Sequence, residues 1–164
     1  MKSLETERLK LIPLESHDDE NLFGLTSDPK VMKFIRKVDT DIFQAKKKIK
    51  ELMSYSQSNP DFGMWMLRLK ATDEFIGFVI LIHIDLNTSY PIEVGYRLHT
   101  KFWKQGYATE AASRIKEYAE NELKVKVCAI TIQENLGSQN VLKKIGLSYK
   151  EDRIYYETEV MYFE

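Results

Sequence analysis

A chain of 164 residues is long enough for one domain with a sizeable core, and we read residues 1–164 as a single domain. With 43% apolar and 30% charged residues it has an ordinary globular composition, and a net charge of −1 provides no basic field for general nucleic-acid binding. The single Cys128 cannot close an internal disulfide, the Met1–Glu7 segment has early acids and no apolar signal core, and no stretch reaches the ~18 apolar residues of a membrane span. A cytoplasmic protein with no membrane partner is therefore expected.

Thr6 to Leu14 has the alternation of a first strand, with Pro13 ending it or placing it at an edge. Ser16 is placed to cap a short helix bearing Leu22, Phe23 and Leu25, with Asp18, Asp19 and Glu20 as its exposed acidic start. Asp28-Pro29 opens a second helix, since Asp caps and Pro suits the first helical position. Asp41 with Gln44 resembles a capping box and opens a longer helix whose buried stripe is Ile42, Ala45, Ile49, Leu52 and Met53. Strands follow at Gly63–Lys70 and Glu74–Ile84, the second nearly continuous in apolar residues. Ile92–Leu98 is a further strand, Tyr107 onward a helix, and Val125–Ile132 a fifth main strand. Ser138–Ile145 reads as a helix closed by Gly146, and two strands, Leu147–Tyr156 and Thr158–Phe163, end the chain. This order describes an α+β or α/β three-layer domain with a mixed sheet, and the strand–helix–strand unit from Ile92 to Ile132 should be a parallel crossover.

The segment Phe102-Trp103-Lys104-Gln105-Gly106-Tyr107-Ala108-Thr109-Glu110-Ala111 carries the most chemistry. It joins a strand to a helix with Ala108, Ala111, Ala112, Ile115, Ala119 and Leu123 near helical spacing. The first amides of a helix lack partners and its dipole favours negative charge there, so strand, Gly turn and helix start together suit a phosphate-bearing cofactor. Gly106 and Ala108 keep side chains out of its way. His17, His83 and His99 are scattered and, with one Cys, make no metal signature. Neither a Gly-x-Gly-x-x-Gly run nor a Gly-Lys-Ser/Thr phosphate loop is present.

Four segments in series resemble the GCN5-related N-acetyltransferases (GNAT), and within them the RimJ/RimL-like branch that acetylates ribosomal-protein N-termini. They are Thr6-Glu7-Arg8-Leu9-Lys10-Leu11, Glu93-Val94-Gly95-Tyr96, Trp103 through Ala111, and Asn135-Leu136-Gly137-Ser138 followed by Lys144-Ile145-Gly146-Leu147. The resemblance implies an acyl-CoA N-acyltransferase fold, a mostly antiparallel central sheet with helices on both faces and a parallel, splayed fourth and fifth strand pair. It implies acetyl-CoA as donor, CoA as product and no metal. The pantetheine arm would pair with the backbone of Tyr96, Arg97 and Leu98, and the pyrophosphate would rest on Trp103, Lys104, Gln105, Gly106, Tyr107, Ala108 and Thr109. Asn135 would reach the pantetheine, and Lys143 or Lys104 the 3′-phosphate. The branch often has Gly where Lys104 stands, and the wider family often has a Tyr acid where Leu142 stands.

Direct attack of an amine on a thioester needs a neutral amine, support for the carbonyl oxygen and a proton for the thiolate. A backbone N–H near Tyr96 suits the second, Glu93 is the candidate base, acting directly or through water, and Ser138 the candidate donor or water-holder. The competing roles are an ion pair between Glu93 and Arg97, which share a strand face, and an N-cap for Ser138. The acceptor is expected to be a protein or peptide N-terminal α-amine, whose deprotonation at pH 7 costs about 1.4 kcal/mol against about 4.6 for a lysine-type amine. A small amine (a polyamine, an amino acid or an aminoglycoside) is the alternative, drawn by Asp39, Asp41 or the acids at 18–20, and a non-catalytic CoA-binding sensor is a third reading. Met32, Phe34 and Trp65 are the expected acceptor-pocket wall, with core packing as their competing role. Family resemblance also allows a homodimer.

Overall fold

The apolar runs of the sequence form two antiparallel sheets, and the computed structural model describes residues 1–164. β1 (Leu4–Glu5), β2 (Leu9–Pro13), β3 (Gly63–Leu69), β4 (Phe75–His83) and β5 (Ile92–Leu98) lie in that spatial order, each antiparallel to the next. β6 (Ala129–Thr131), β8 (Thr158–Phe163) and β7 (Tyr149–Tyr155) make the second sheet in that spatial order. One parallel bridge, Glu93 to Cys128, joins the two sheets. The expected mixed, mostly antiparallel architecture is present, and the short β1 moves the expected fourth and fifth strands to β5 and β6.

Alternation along β3 builds the layers. Trp65 and Leu67 point to the core shared with helix α4 (Tyr107–Glu117) and helix α5 (Leu136–Lys144). Met64 and Met66 point to the opposite core, shared with α1 (Asp19–Thr26) and α3 (Ile42–Ser58). Ala111, Ala112 and Ile115 of α4 are fully buried, and these small residues bring the helix close to the sheet. α4 continues through a π-helical turn, Tyr118–Leu123, to a left-handed stop at Lys124. No helix is long and apolar enough to cross a membrane.

Local chemistry corrects several boundaries. Asp18, not Ser16, heads α1: its carboxylate accepts from the Glu15 amide (3.0 Å) and from Asn21 Nδ2 (3.3 Å), so it is buried rather than an exposed acid. Asp28 caps α2 (Pro29–Met32) through the Lys30 amide, as expected, but that helix is a single turn. Asp41 caps α3 through the Phe43 and Gln44 amides, while Gln44 reaches back to the Thr40 amide, one residue beyond the Asp41 amide of a true capping box. The expected Val125–Ile132 strand shortens to β6, because only β8 pairs with it along its length and β5 leaves after one bridge. Gly146 ends α5 with a positive φ, as its position predicts.

β4 and β5 meet closely where Gly77 pairs with Leu98. A Cβ on Gly77 would lie 2.1 Å from the Arg97 carbonyl oxygen and 2.7 Å from Leu98 Cα. Both are backbone atoms, so relief requires the strands to part. Gly77→Ala should cost about 2–3 kcal/mol and lower the melting temperature by roughly 5–10 °C. A thermal melt within a degree of the parent would show that the strands can part without loss.

Candidate active site

β5 has one partnered edge and one that is mostly free. His99 donates to Ile76 O and Ile84 donates to Pro91 O, so the odd-numbered main-chain groups near β5 serve β4. The even-numbered groups face β6: Val94 donates to Cys128 O (2.9 Å) and Cys128 donates to Ile92 O (2.8 Å). Beyond that bridge β6 diverges, leaving the main-chain groups of Tyr96 and the Leu98 amide facing a gap. The Leu98 carbonyl is taken by the Trp103 indole N–H at 2.8 Å. This is the sheet edge onto which an extended ligand chain can add as a strand.

At the open end of the gap lies the loop before α4. Gly106 caps that helix at φ +86°, and Lys104 also adopts a left-handed conformation at φ +61°. The latter is a conformation that suits Gly, the residue the resembled branch often carries there. The first bond of α4 runs from the Glu110 amide to Gly106 O, and the amides from Lys104 to Thr109 donate to nothing within the chain. Arg8 fixes the loop from behind. Its guanidinium donates to Gln105 O (3.0 Å), packs over the Tyr107 ring (4.2 Å) and pairs with Glu110. Burial alone would raise the Glu110 pKa, but hydrogen bonds from the Thr6 hydroxyl and from Arg8 outweigh it and hold the carboxylate ionised. Lys104 and Lys143 are exposed and pair with no carboxylate, the first on the loop and the second in the last turn of α5.

Glu93 stands at the vertex where β5 and β6 part. Burial pushes its pKa up to about 7, and the opposing pull of the Arg97 charge is weaker. The two make no ion pair within 4.0 Å, so the bland pairing is not what holds Glu93. Its Oε1 lies 3.5 Å from where a Cβ on Gly95 would be, so the carboxylate leans along the strand over Gly95. The Cys128 thiol beside it is pushed up to about 12 by burial, which leaves no thiolate for nucleophilic chemistry.

Across the gap, the Tyr96 hydroxyl meets Ser138 Oγ at 3.1 Å and the Ser138 carbonyl at 3.1 Å. Burial pushes the Tyr96 phenol up to about 12, so it stays protonated. Ser138 is not the N-cap of α5. Asn135 is, and its Oδ1 accepts from the Ser138 amide at 3.1 Å. The cap therefore fixes Ser138, and the Asn135 Nδ2 donors stay free of protein partners. Leu142 is buried core.

Residues 8–148 match the family model described as an acetyltransferase (GNAT) domain. The chain belongs to the GNAT acetyltransferase family. It is an N-acetyltransferase. Among relatives, it is 34% identical over 160 residues to FsC-acetyl coenzyme A-N(2)-transacetylase of Aspergillus fumigatus, covering 91% of this chain and 66% of that protein. It is 30% identical over 153 residues to YkkB of Bacillus subtilis, covering 90% and 86%. Its fold is similar to that of RimL, a ribosomal L7/L12 α-N-protein acetyltransferase solved with coenzyme A, at a TM-score of 0.80, 14% identity and coverage of 99% and 96%.

The acceptor side of this GNAT acetyltransferase differs from the sequence expectation. Trp65 is fully buried in the α4 core, with its indole N–H donating to Lys2 O at 2.9 Å, and walls no pocket. Met32 lies almost wholly buried at the floor of an open cleft of about 570 Å³, and Phe34 is half-buried beneath Lys33. Most of the acids expected to draw a cation are engaged elsewhere: Asp39 binds Arg36 (2.6 Å), Asp41 caps α3, Asp18 closes its own turn and Asp19 pairs with Lys46, while Glu20 stays exposed. Sequence reasoning missed the Tyr96 hydroxyl, the Arg8–Glu110 tie and the buried Asp39. Only Arg8 carried a signal, as part of the first family segment.

A Glu with a native pKa near 7 and an ordinary unfolded value destabilises the fold increasingly as pH rises from about 4.5 to 7, and by a constant amount above. Glu93→Gln should therefore raise stability at pH 8 by about 1–3 kcal/mol relative to its effect at pH 5. Equal effects at the two pH values in denaturant melts would mean that Glu93 ionises normally.

Proposed function

We propose that this enzyme transfers acetyl from acetyl-CoA to the α-amine of a protein or peptide N-terminus. The observation that carries the reading is a carboxylate with a pKa of about 7 at the vertex of the gap between β5 and β6. The residues present fit acetyl-CoA: free main-chain groups at Tyr96 and Leu98 for the pantetheine, and six undonated amides with Gly106 among them for the pyrophosphate. Lys104 and Lys143 are the unpaired cations offered to the 3′-phosphate. Bound there, acetyl-CoA supplies an activated acyl thioester.

The chain's own groups divide the remaining work. Glu93 takes the proton of the incoming ammonium, directly or through water. From an α-ammonium near pKa 8 to a carboxylate near 7, the transfer costs about 1.4 kcal/mol; from a lysine ammonium near 10.4 it costs about 4.6. That difference supports the α-amine. The Tyr96 amide is a fixed donor in the gap where negative charge develops on a carbonyl oxygen. Ser138, its Oγ 3.1 Å from the Tyr96 hydroxyl and its amide held by Asn135 Oδ1, relays to the leaving sulfur the proton that the acylated nitrogen sheds.

Calorimetric titration with acetyl-CoA, with NADH as control, tests the donor. Micromolar binding of acetyl-CoA alone supports it, and no binding by the folded protein removes it. With N-terminal peptides, kcat/KM should rise with pH through about 7 as Glu93 ionises. Glu93→Gln should lower it about 10²–10³-fold and abolish that inflection. An inflection that survives the substitution would assign the base elsewhere. Ser138→Ala should reduce kcat about tenfold or more with acetyl-CoA affinity little changed; unchanged kcat would remove Ser138 from the mechanism.

A further inference from the structure

We propose that the acceptor of this enzyme carries a carboxylate close to its amine, received by the basic cleft between Pro29 and Thr40 and by Arg97 behind it. This deepens the acetyl-transfer reading above and rests on it. The cleft is lined by three cations, Lys33, Arg36 and Lys37. Lys33 and Lys37 are exposed and pair with no carboxylate. Arg36 binds Asp39 and also donates to Lys37 O at 2.9 Å, so its charge is partly answered and its position fixed.

Arg97 connects this cleft to the reacting end. It lies on β5 two residues beyond Gly95, on the strand face that also carries Glu93. Its guanidinium packs over Phe78 at 5.1 Å and forms no salt bridge, and its Nε is buried without any hydrogen-bond partner. Burial lowers its pKa to about 10, the nearby Arg36 charge adds to this, and Asp39 and Glu93 oppose it. Asp39 Oδ2 is likewise buried without a partner. A buried guanidinium N–H that no protein acceptor satisfies is costly unless something else satisfies it.

The charge balance selects the class of acceptor. Four cations (Lys33, Arg36, Lys37 and Arg97) face two carboxylates, Asp39 and Glu93, and Glu93 is only partly ionised near neutral pH. A polyamine or aminoglycoside entering here meets like charge, and Asp18, Asp19, Asp39 and Asp41 are used for caps and ion pairs. An acceptor with an amine at one end and a carboxylate a few ångströms away meets Glu93 with the first and Arg97 or the cleft lysines with the second.

The test uses peptides that share a free amino-terminal Ser, carry a C-terminal amide and fluorophore, and differ only at positions two and three: Glu-Glu, Gln-Gln or Lys-Lys. Their binding to the protein with coenzyme A present is read by fluorescence anisotropy at low and high salt, with free glutamine and glutaminamide, which lacks the α-carboxylate, as competitors. We expect the Glu-Glu peptide to bind roughly tenfold more tightly than the Lys-Lys peptide at low salt, with the gap shrinking as salt is added. The exposed double substitution Lys33→Glu/Lys37→Glu should reverse that order. Competition by glutamine but not by glutaminamide would assign the carboxylate to a free amino acid rather than a peptide. No charge preference in either the peptides or the amino acids, or an order untouched by the double substitution, overturns the proposal. Release of the CoA thiol from acetyl-CoA with the Gln-Gln peptide as acceptor, together with the acetyl-CoA titration, reports separately on acetyl transfer, so failure of that reading is visible on its own.

Discussion

The site depends on the parting of β5 from β6. The two strands form one parallel bridge, Glu93 to Cys128, and then separate. Continuing the pairing would satisfy the main chain at Tyr96 and Leu98, so something must hold the strands apart. Tyr96 is the wedge. Its ring packs against the main core and its hydroxyl grips Ser138 at the start of α5, placing a helix end where a strand would otherwise continue. On the other side, β8 takes the pairing capacity of β6. The Trp103 indole then occupies the Leu98 carbonyl and sets the outer limit of the free edge.

The same separation tunes the proton chemistry. A carboxylate at the vertex is enclosed by both sheets, and its charged form loses water without gaining an ion pair. That is a poor arrangement for stability and a useful one for a base, because a pKa near ambient pH combines a large ionised fraction with real proton affinity. The neighbouring groups do not compete: the thiol of Cys128 and the phenols of Tyr96 and Tyr156 are all pushed up to about 12, chiefly by burial, and remain protonated. Glu93 is thus the one titrating group of that cluster near neutral pH. The fold carries an energetic cost at the position where the chemistry needs it.

What the sequence disclosed divides by range. Features written in a few adjacent residues were legible: the Gly106 turn into α4, the Asp28 and Asp41 caps, the Gly146 stop and the alternating apolar strands. Each is a local rule about dihedrals or hydrogen bonds, and each needs no knowledge of a distant segment. Contacts across the chain were not legible. Arg8 and Glu110 are 102 positions apart, and Tyr96 and Ser138 are 42 apart. The Val125–Ile132 strand failed for a related reason. Its β-propensity is genuine, but strand length is set by available partners, and those are fixed by the fold. Trp65 shows the limit on the acceptor side: alternation along β3 put it on the α4 face, and nothing in the neighbouring residues says which face meets the acceptor.

Capping and ion pairing also explain how charge is distributed around the site. Asp18, Asp19, Asp28, Asp39 and Asp41 all lie within or beside the first three helices, and in the sequence they read as places where a cation could be drawn. Their pairing in the structure cancels that attraction. Each of these carboxylates is consumed by an amide, a guanidinium or a lysine, while Lys33 and Lys37 pair with no carboxylate. A carboxylate that accepts backbone hydrogen bonds presents less field to an approaching cation than a free one, because its charge is met at short range. What reaches a solute is therefore the unpaired set: cations at the entrance and one partly ionised carboxylate at the vertex. On the proposed reading, that separation would orient a molecule bearing both an amine and an acid with its amine toward Glu93 and its acid toward the entrance, where solvent screening weakens the hold on the acid.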